Sequence, residues 1–548
     1  MHPVTILNVN KTNTNKDSEE KMKQKTNHSN FRFHILTTAM LMLCACSSVD
    51  NSFTTDYLAV QFSEGENWSI VDKDGKVVIK EEYDKQDEIS FIYDGVFWVK
   101  HDGKYQLFSI DSPQKPISKE EYDEVTDFVA GRSAVTSKGH PIQIINTDGE
   151  MVSTLPSSIT RVSEYKENGL AIYKEEIKGA MGWLNLAGLM MYEGPCKDIF
   201  IGKDKNNILV KESNDSIYYI YNSNGMTLGT ILRDKYLPLG WYSEGLLPVA
   251  SNSEGNTEPE AETPVVMLDP QGKKQFTLKK ADAQHSIGSY YYDGYYVYTT
   301  SDNYCGIADK NGSEIMRAKY QYLKNIGESQ FLAEKNDKWG IINADDEVIV
   351  PFEYDGFSAK PRLGDNYVMR EGDYFYIVGS DGKKISNEGF FQISYSPCPL
   401  QITYVNTDEL AEMIAKIVND TESGLTSAMF ANKYGLELTY EATHSSMITL
   451  RRYNDLFEVK LSYQFNNIMA KEISDQLVWT DAVLYSNTLT MDVSQMPIDI
   501  EPLVKAVASQ LSAKGFQTLP SGELGLGNKA VRVTNEFNTL KIYCTYSK

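Results

Sequence analysis

Histidine is scarce in this chain, with seven in 548 residues, and none beyond residue 46 stands at ligand spacing from another His or a Cys. That speaks against a histidine-built metal centre. Cysteine is as rare. Apart from Cys44 and Cys46 there are only Cys196, Cys305, Cys398 and Cys544, far apart and in no CxxC pattern. They outline neither a zinc site nor a disulfide framework and are expected as buried free thiols. Basic residues are outnumbered, 53 Lys+Arg against 75 Asp+Glu, for a net charge of −22. No nucleic-acid partner is expected, because phosphate binding needs a basic face. No apolar run reaches the roughly 20 residues of a membrane span, and the mean hydropathy of −0.39 argues against a polytopic membrane protein. Catalytic motifs are also missing: there is no GxSxG, HExxH, Walker loop or GxGxxG after a strand. Gly522 to Gly527 carries its three glycines in the reverse spacing, with no helix pattern behind it. The expectation is no metal, no cofactor and no catalysis.

What is present begins with an address. Residues 22–46 read as a secretory signal: Lys23, Lys25 and Arg32, then the apolar run Ile35 to Leu43. Leu43-Cys44-Ala45-Cys46-Ser47 resembles the bacterial lipobox, with a small residue before the cysteine whose thiol takes the diacylglycerol. Cys46 is the expected lipid (palmitate-bearing) attachment site, since Cys44 follows the bulky Leu43. Residues 1–45 are read as signal peptide, with Met22 as the start and the stretch before it an upstream artefact. Residues 46–56 are the lipidated linker. Ser47, where an Asp would retain the chain, is similar to the outer-membrane sorting pattern. Periplasm-facing and surface-exposed placements both stay open.

From Tyr57 to about Ser394 one pattern recurs: a short apolar run, a polar turn with Gly, a second apolar run, and often Tyr-Asp. Turn positions fall at 75, 112, 149, 188, 225, 272, 312, 346 and 382, a period near 37 residues. The one long gap holds Ser251 to Thr263, a polar insertion. Asp-Gly and Asn-Gly between β-branched runs predict tight hairpins of the primed type, giving three to four strands per unit. Nine such units must stack to bury their apolar faces.

The landmarks Trp339-Gly340, Cys305-Gly306, Trp68-Ser69, Gly182-Trp183, Asp72-Lys73-Asp74-Gly75 and Tyr354-Asp355 resemble the WG-containing (KWG) repeat family of bacterial β-repeat proteins. The resemblance implies an all-β body, export to the cell envelope, a binding role and no catalytic residues. The fold class is therefore mainly β. A nine-unit repeat body over 57–396, a propeller-like toroid or alternatively an open β-superhelix, precedes a smaller α+β domain over 397–548. In the C-terminal part, Thr407 is the expected cap of a helix to Asn419, and Asp499 to Ala513 reads as a second helix. Each helix is followed by strands, which suggests an internal duplication on one antiparallel sheet.

The recurring aromatics are expected to pack between units. Tyr290 to Tyr298 has six Tyr in nine positions, and a strand with one solvated face would leave half of them outside. Tyr290, Tyr292, Tyr296 and Tyr298 are the candidates for ligand binding. The functional expectation is a lipid-anchored envelope module that binds a protein or glycan partner. The alternatives are a structural subunit of an envelope assembly, or a polysaccharide hydrolase with two carboxylates about 5 to 9 Å apart.

Overall fold

The computed structural model describes residues 55–548, apart from 176–178, 205, 213–215, 253–257, 261, 387, 396–400, 421–436 and short stretches between 440 and 498 and near the C-terminus. Cys46, Cys398 and His444 lie outside the described side chains.

Nine consecutive antiparallel sheets account for the repeats. Sheet 3 shows the plan: Glu124–Val125, Arg132–Thr136, Gln143–Asn146 and Met151–Thr154 follow one another as a meander. Sheets 2 and 9 have three full strands, and the chain beyond each third strand adds partial pairing, as in Ile117 N–H to Leu107 O at 2.7 Å and Phe390 N–H to Phe375 O at 2.8 Å. Sheet 1 is the informative exception. Its second to fourth strands are Tyr57–Gln61, Trp68–Asp72 and Val77–Tyr83, but its first strand, Gln392–Ile393, comes from the end of the repeats. Val60 pairs with Ile393 and Gln61 with Gln392.

Side-chain packing closes the same circle. Each sheet shares a buried core with the next, as sheets 4 and 5 do through Trp183, Ile199 and Val210. Sheets 8 and 9 do so through Ile341, Val350, Tyr367 and Met369. Leu363, Val368 and Ile377 of sheet 9 then pack with Leu58, Val60 and Val71 of sheet 1. Each turn glycine also rests on the outer strand of the preceding sheet. A Cβ on Gly225 would meet Met191 of sheet 4, one on Gly312 would meet Phe276 of sheet 6, and one on Gly75 would meet Ile377, Ile385 and Ser386 of sheet 9. The body is a closed, propeller-like ring, and the open superhelix is set aside.

The turns between third and fourth strands are not the expected two-residue primed type. Gly75 donates to Asp72 O at 2.9 Å and Asp72 N–H to Lys76 O at 2.9 Å; Gly75 (φ +75°) is left-handed and Asp74 is not. This is a type I turn followed by a glycine bulge. The side chain at the first position selects it. Asp72 Oδ1 accepts from the N–H groups of Asp74 and Lys76 (3.0 and 2.9 Å), Asn146 Oδ1 from Asp148 and Glu150, and Asp309 Oδ1 from Asn311 and Ser313. Primed turns do occur between first and second strands, at Asp94-Gly95, Glu244-Gly245 and Asp293-Gly294, where both residues have positive φ.

Beyond Ile393 the described chain pairs with two further sheets. Tyr395 exchanges backbone bonds with Ile89 and Phe91 of sheet 2. Gln401–Thr403 then adds a fifth strand beside Arg161–Ser163 of sheet 4. The repeat body thus takes in residues past 396. That these first strands converge follows from contacts between sheets that are not neighbours: Lys360 of sheet 9 stands 5.8 Å from the Tyr93 ring of sheet 2, and Lys203 of sheet 5 stands 3.8 Å from the Tyr292 ring of sheet 7.

The C-terminal part is one eight-stranded antiparallel sheet. The helix Thr407–Asp420 precedes the meander Glu437–Thr439, Met447–Tyr453, Glu458–Asn466 and Val483–Asp492. The helix Ile500–Ala513 precedes Gln517–Thr518, Leu524–Leu526, Lys529–Glu536 and Thr539–Tyr546. The halves meet where Val483–Asp492 pairs with Thr539–Tyr546, and strand order mirrors about that seam. A hairpin, Ala470–Ile473 with Gln476–Trp479, is inserted in the first half. The first helix is capped by Asn406, not Thr407: its Oδ1 accepts from Asp408 and Glu409 N–H at 3.2 and 3.3 Å. At the other end Lys529 Nζ donates to Val418 O and Asn419 O, both at 2.8 Å, which complements the helix dipole.

Candidate functional site

The tyrosine cluster does not form a binding surface. Tyr292, Tyr296 and Tyr298 are 4%, 0% and 3% exposed. Tyr296 lies 5.3 Å from Tyr291, and Tyr298 donates to Glu314 Oε2 at 2.7 Å while its ring covers Gly306. Tyr290 is half-buried against Trp241, with ring centroids 4.6 Å apart. The expectation that half would be outside assumed one solvated face. Sheet 7 is instead packed between sheets 6 and 8, so both faces are covered. Tyr292, Tyr296 and Tyr298 are corrected from ligand-binding candidates to packing residues, while Tyr290 stays half-exposed beside Trp241.

The repeat aromatics also pack between units. Trp68 Nε1 donates to Asp87 O (2.8 Å), Trp98 Nε1 to Thr126 O (3.1 Å) and Trp183 Nε1 to Ser223 O (2.9 Å), each reaching from its own sheet to the next. Counting back from the turn residue Asx aligns Trp68, Met181, Cys305 and Trp339, and after them Ser69, Gly182, Gly306 and Gly340. Trp183 is thus two positions from the family tryptophan. The glycines are there for space. A Cβ at Gly340 would lie 2.6 Å from Val350 O, and one at Gly182 would lie 1.8 Å from Tyr192 O.

Sheet 1 departs from that rule, and the departure makes the candidate site. Opposite this position the fourth strand bulges in sheets 1, 7 and 8 alike. Of these three, sheet 1 alone has a serine, Ser69, instead of glycine, and there alone a bulge residue goes left-handed: Glu81, at φ +49°. Ser69 Oγ accepts the Glu81 N–H at 2.9 Å. Glu81 lines a cleft of ≈ 600 Å³ at the seam where sheet 9 meets sheet 1. Sheet 1 contributes Phe62, Glu66, Ser69, Val77, Lys80 and Glu81, and sheet 9 contributes Tyr374, Tyr376, Glu388 and Gly389.

Gly389 lets two aromatic rings line the cleft, since a Cβ there would meet Tyr374 Cβ at 2.7 Å and Tyr376 Cζ at 2.8 Å. Tyr374 is 41% exposed. Phe62 is fixed edge-on to Phe390 with centroids 5.5 Å apart. Glu66, Glu81 and Glu388 are all solvent-exposed. The single base, Lys80, stands 3.6 Å from Glu81. Aromatic faces beside carboxylates can stack on a ligand and accept its hydrogen bonds. The turn positions were legible in the sequence, but the bulge at Glu81 was not. Nor was the union of the two walls, because they lie some 300 residues apart and meet only when the ring closes.

Elsewhere, Cys196, Cys305 and Cys544 are buried free thiols, and burial pushes those of Cys196 and Cys544 up to about 12. His101 Nδ1 lies 2.6 Å from Asp87 Oδ1, and hydrogen bonding to that carboxylate raises the imidazole above its ordinary value. Among the described residues no three His, Cys, Asp or Glu gather as a metal set, and no helix is long and apolar enough to cross a membrane.

Comparison with known proteins adds the following. No curated protein matches the chain. Among solved structures, BamB from Moraxella catarrhalis aligns at 11% identity and TM-score 0.31, over 54% of this chain and 94% of its own. AztD from Citrobacter koseri aligns at 12% and 0.31, over 64% and 98%, and Hsv2 from Kluyveromyces lactis at 8% and 0.27, over 57% and 95%. None of the three reaches a TM-score of 0.5, and the ring rests on its own strand pairings. The WG containing repeat family matches residues 68–105 and 339–359, which hold the Trp68 and Trp339 turns and the packing just described. Over those two stretches the chain is similar to the WG containing repeat.

Proposed function

We propose that this chain is a lipid-anchored interaction module of the cell envelope, held in the outer membrane through Cys46, whose ring binds a protein or glycan partner without catalysis. The carrying observation is the seam cleft, an open concavity that presents an exposed Tyr374 and three carboxylates, while the recurring tryptophans of the repeats are spent on packing. Binding rather than hydrolysis is favoured by the setting of those acids. A general acid at neutral pH is kept protonated by burial in apolar surroundings, whereas Glu66, Glu81 and Glu388 are exposed.

The test combines labelled palmitate with membrane fractionation. The natural chain is expected to take up label and sediment with the outer membrane, and Cys46→Ala to do neither. Membrane retention of the unlabelled variant would remove the anchor. Protein and glycan arrays probed with the full chain address the partner, and a chain that bound nothing on either would count against the module.

A further inference from the structure

We propose that the seam cleft takes a lysine- or arginine-bearing peptide segment of a protein partner. This deepens the interaction-module reading and rests on it.

The charge balance of the walls makes the first argument. Among the described lining residues Glu66, Glu81 and Glu388 stand against one base, Lys80, which is paired with Glu81; Lys384, on the Tyr376 ring, is paired with Glu371 outside the lining. A cationic side chain entering the cleft would meet more carboxylates than ammonium groups on its walls, and a neutral ligand would gain nothing from that excess. The net charge of −22 adds a long-range field of the same sign, which draws a basic segment in.

The aromatic walls make the second. A tyrosine face attracts an ammonium or guanidinium through its quadrupole. The protein already uses Tyr376 this way: Lys384 Nζ stands 3.8 Å from the ring centroid and is also paired with Glu371. In the cleft Tyr374 and Glu388 share one wall, since a Cβ on Gly389, the residue after Glu388, would meet Tyr374 Cβ at 2.7 Å. Tyr374 has no cation of its own among the described contacts and is 41% exposed.

The third is the Ser69–Glu81 contact. In sheets 7 and 8 the equivalent positions are Gly306 and Gly340, and no bulge residue there is left-handed. The left-handed turn that accommodates Ser69 is what sets Glu81 at the cleft.

The test measures anisotropy of a fluorescein-labelled peptide of alternating Gly and Lys with the full chain in detergent, at about 150 mM salt to screen the general field. Binding is expected to weaken roughly tenfold in Tyr374→Ala and at least as much in Glu66→Gln/Glu388→Gln. Asp148→Asn/Asp345→Asn removes two exposed acids from remote turns and should change nothing. Equal thermal midpoints would show that all variants are folded. Weakening by the remote pair as strong as by the seam pair would overturn the proposal, since the field alone would then explain the binding. So would binding of chitohexaose in the cleft with indifference to the peptide, which would assign the site to a glycan. A chain that ignores the peptide yet is membrane-anchored and retains a partner on the arrays would sink this inference and leave the module standing.

Discussion

At the residue scale, the side chain that opens each outer turn does more than mark it. Asp72, Asn146, Asn185, Asn222, Asp269 and Asp309 each turn an Oδ1 back onto two backbone N–H groups. Asn and Asp serve alike because only the acceptor oxygen is used. Asp309→Asn is therefore expected to leave the denaturation midpoint unchanged at neutral pH, and Asp309→Ala to cost about 1 kcal/mol. The acid also leaves a pH signature. Burial would raise the Asp309 carboxyl, but the N–H groups of Ser313 and Asn311 hold it below its ordinary value. A lowered folded-state value gives stability that is present above the unfolded carboxylate range and is lost as pH falls through the folded one. The Asn variant should accordingly lose less stability than the parent between neutral pH and pH 3. Urea midpoints across that range decide it, and identical acid profiles would refute the assignment.

At the scale of the hairpin, glycines at two places are required for different reasons. Gly306 has ordinary extended backbone, but a Cβ there would meet the Tyr298 ring at 2.6 Å and Met316 O at 2.7 Å. Gly95 has nothing within 4 Å, but its φ is +76°. Gly306→Ala is expected to cost roughly 2–3 kcal/mol through forced displacement of a packed ring and strand. Gly95→Ala should cost only about 1 kcal/mol, from left-handed backbone. Thermal unfolding of the two variants should rank them in that order, and the reverse order would mean that the third strand moves freely. Sheet 1 shows how the steric rule can be relaxed, since Ser69 is accommodated by hydrogen-bonding its hydroxyl to a left-handed Glu81.

At the scale of the molecule, closure depends on a strand of two residues. Val60 and Ile393 are directly paired, and Ser394 N–H donates to Ala59 O at 2.9 Å beside them. That makes Val60 and Ile393 a non-hydrogen-bonded pair, in which side chains approach closely enough for a disulfide. The double variant Val60→Cys/Ile393→Cys is expected to oxidise to an intramolecular bond in the native state. By chain entropy the link should stabilise the fold by as much as roughly 5 kcal/mol, less the loss of two buried apolar side chains. Non-reducing electrophoresis and thermal melts with and without reductant read the outcome. Failure to form the bond would argue for an open superhelix.

The sequence by itself determined the repeat, its nine units, their hairpins and the packing role of the tryptophans, because turn chemistry and alternating apolar runs are local properties. It also showed two similar C-terminal halves, since a capped helix followed by strands is legible wherever it occurs. The turn type was local too: an acceptor side chain at the first turn position selects bulged type I turns over the expected primed hairpins. Two matters were decided only by tertiary structure. Sheets packed on both faces buried Tyr292, Tyr296 and Tyr298, which alternation alone would have half exposed. Ring closure joined Glu66 and Glu81 to Tyr374 and Glu388, and no local pattern specifies a contact between the first and last units. Such contacts arise from the accumulated rotation between sheets, to which every interface in the circle contributes.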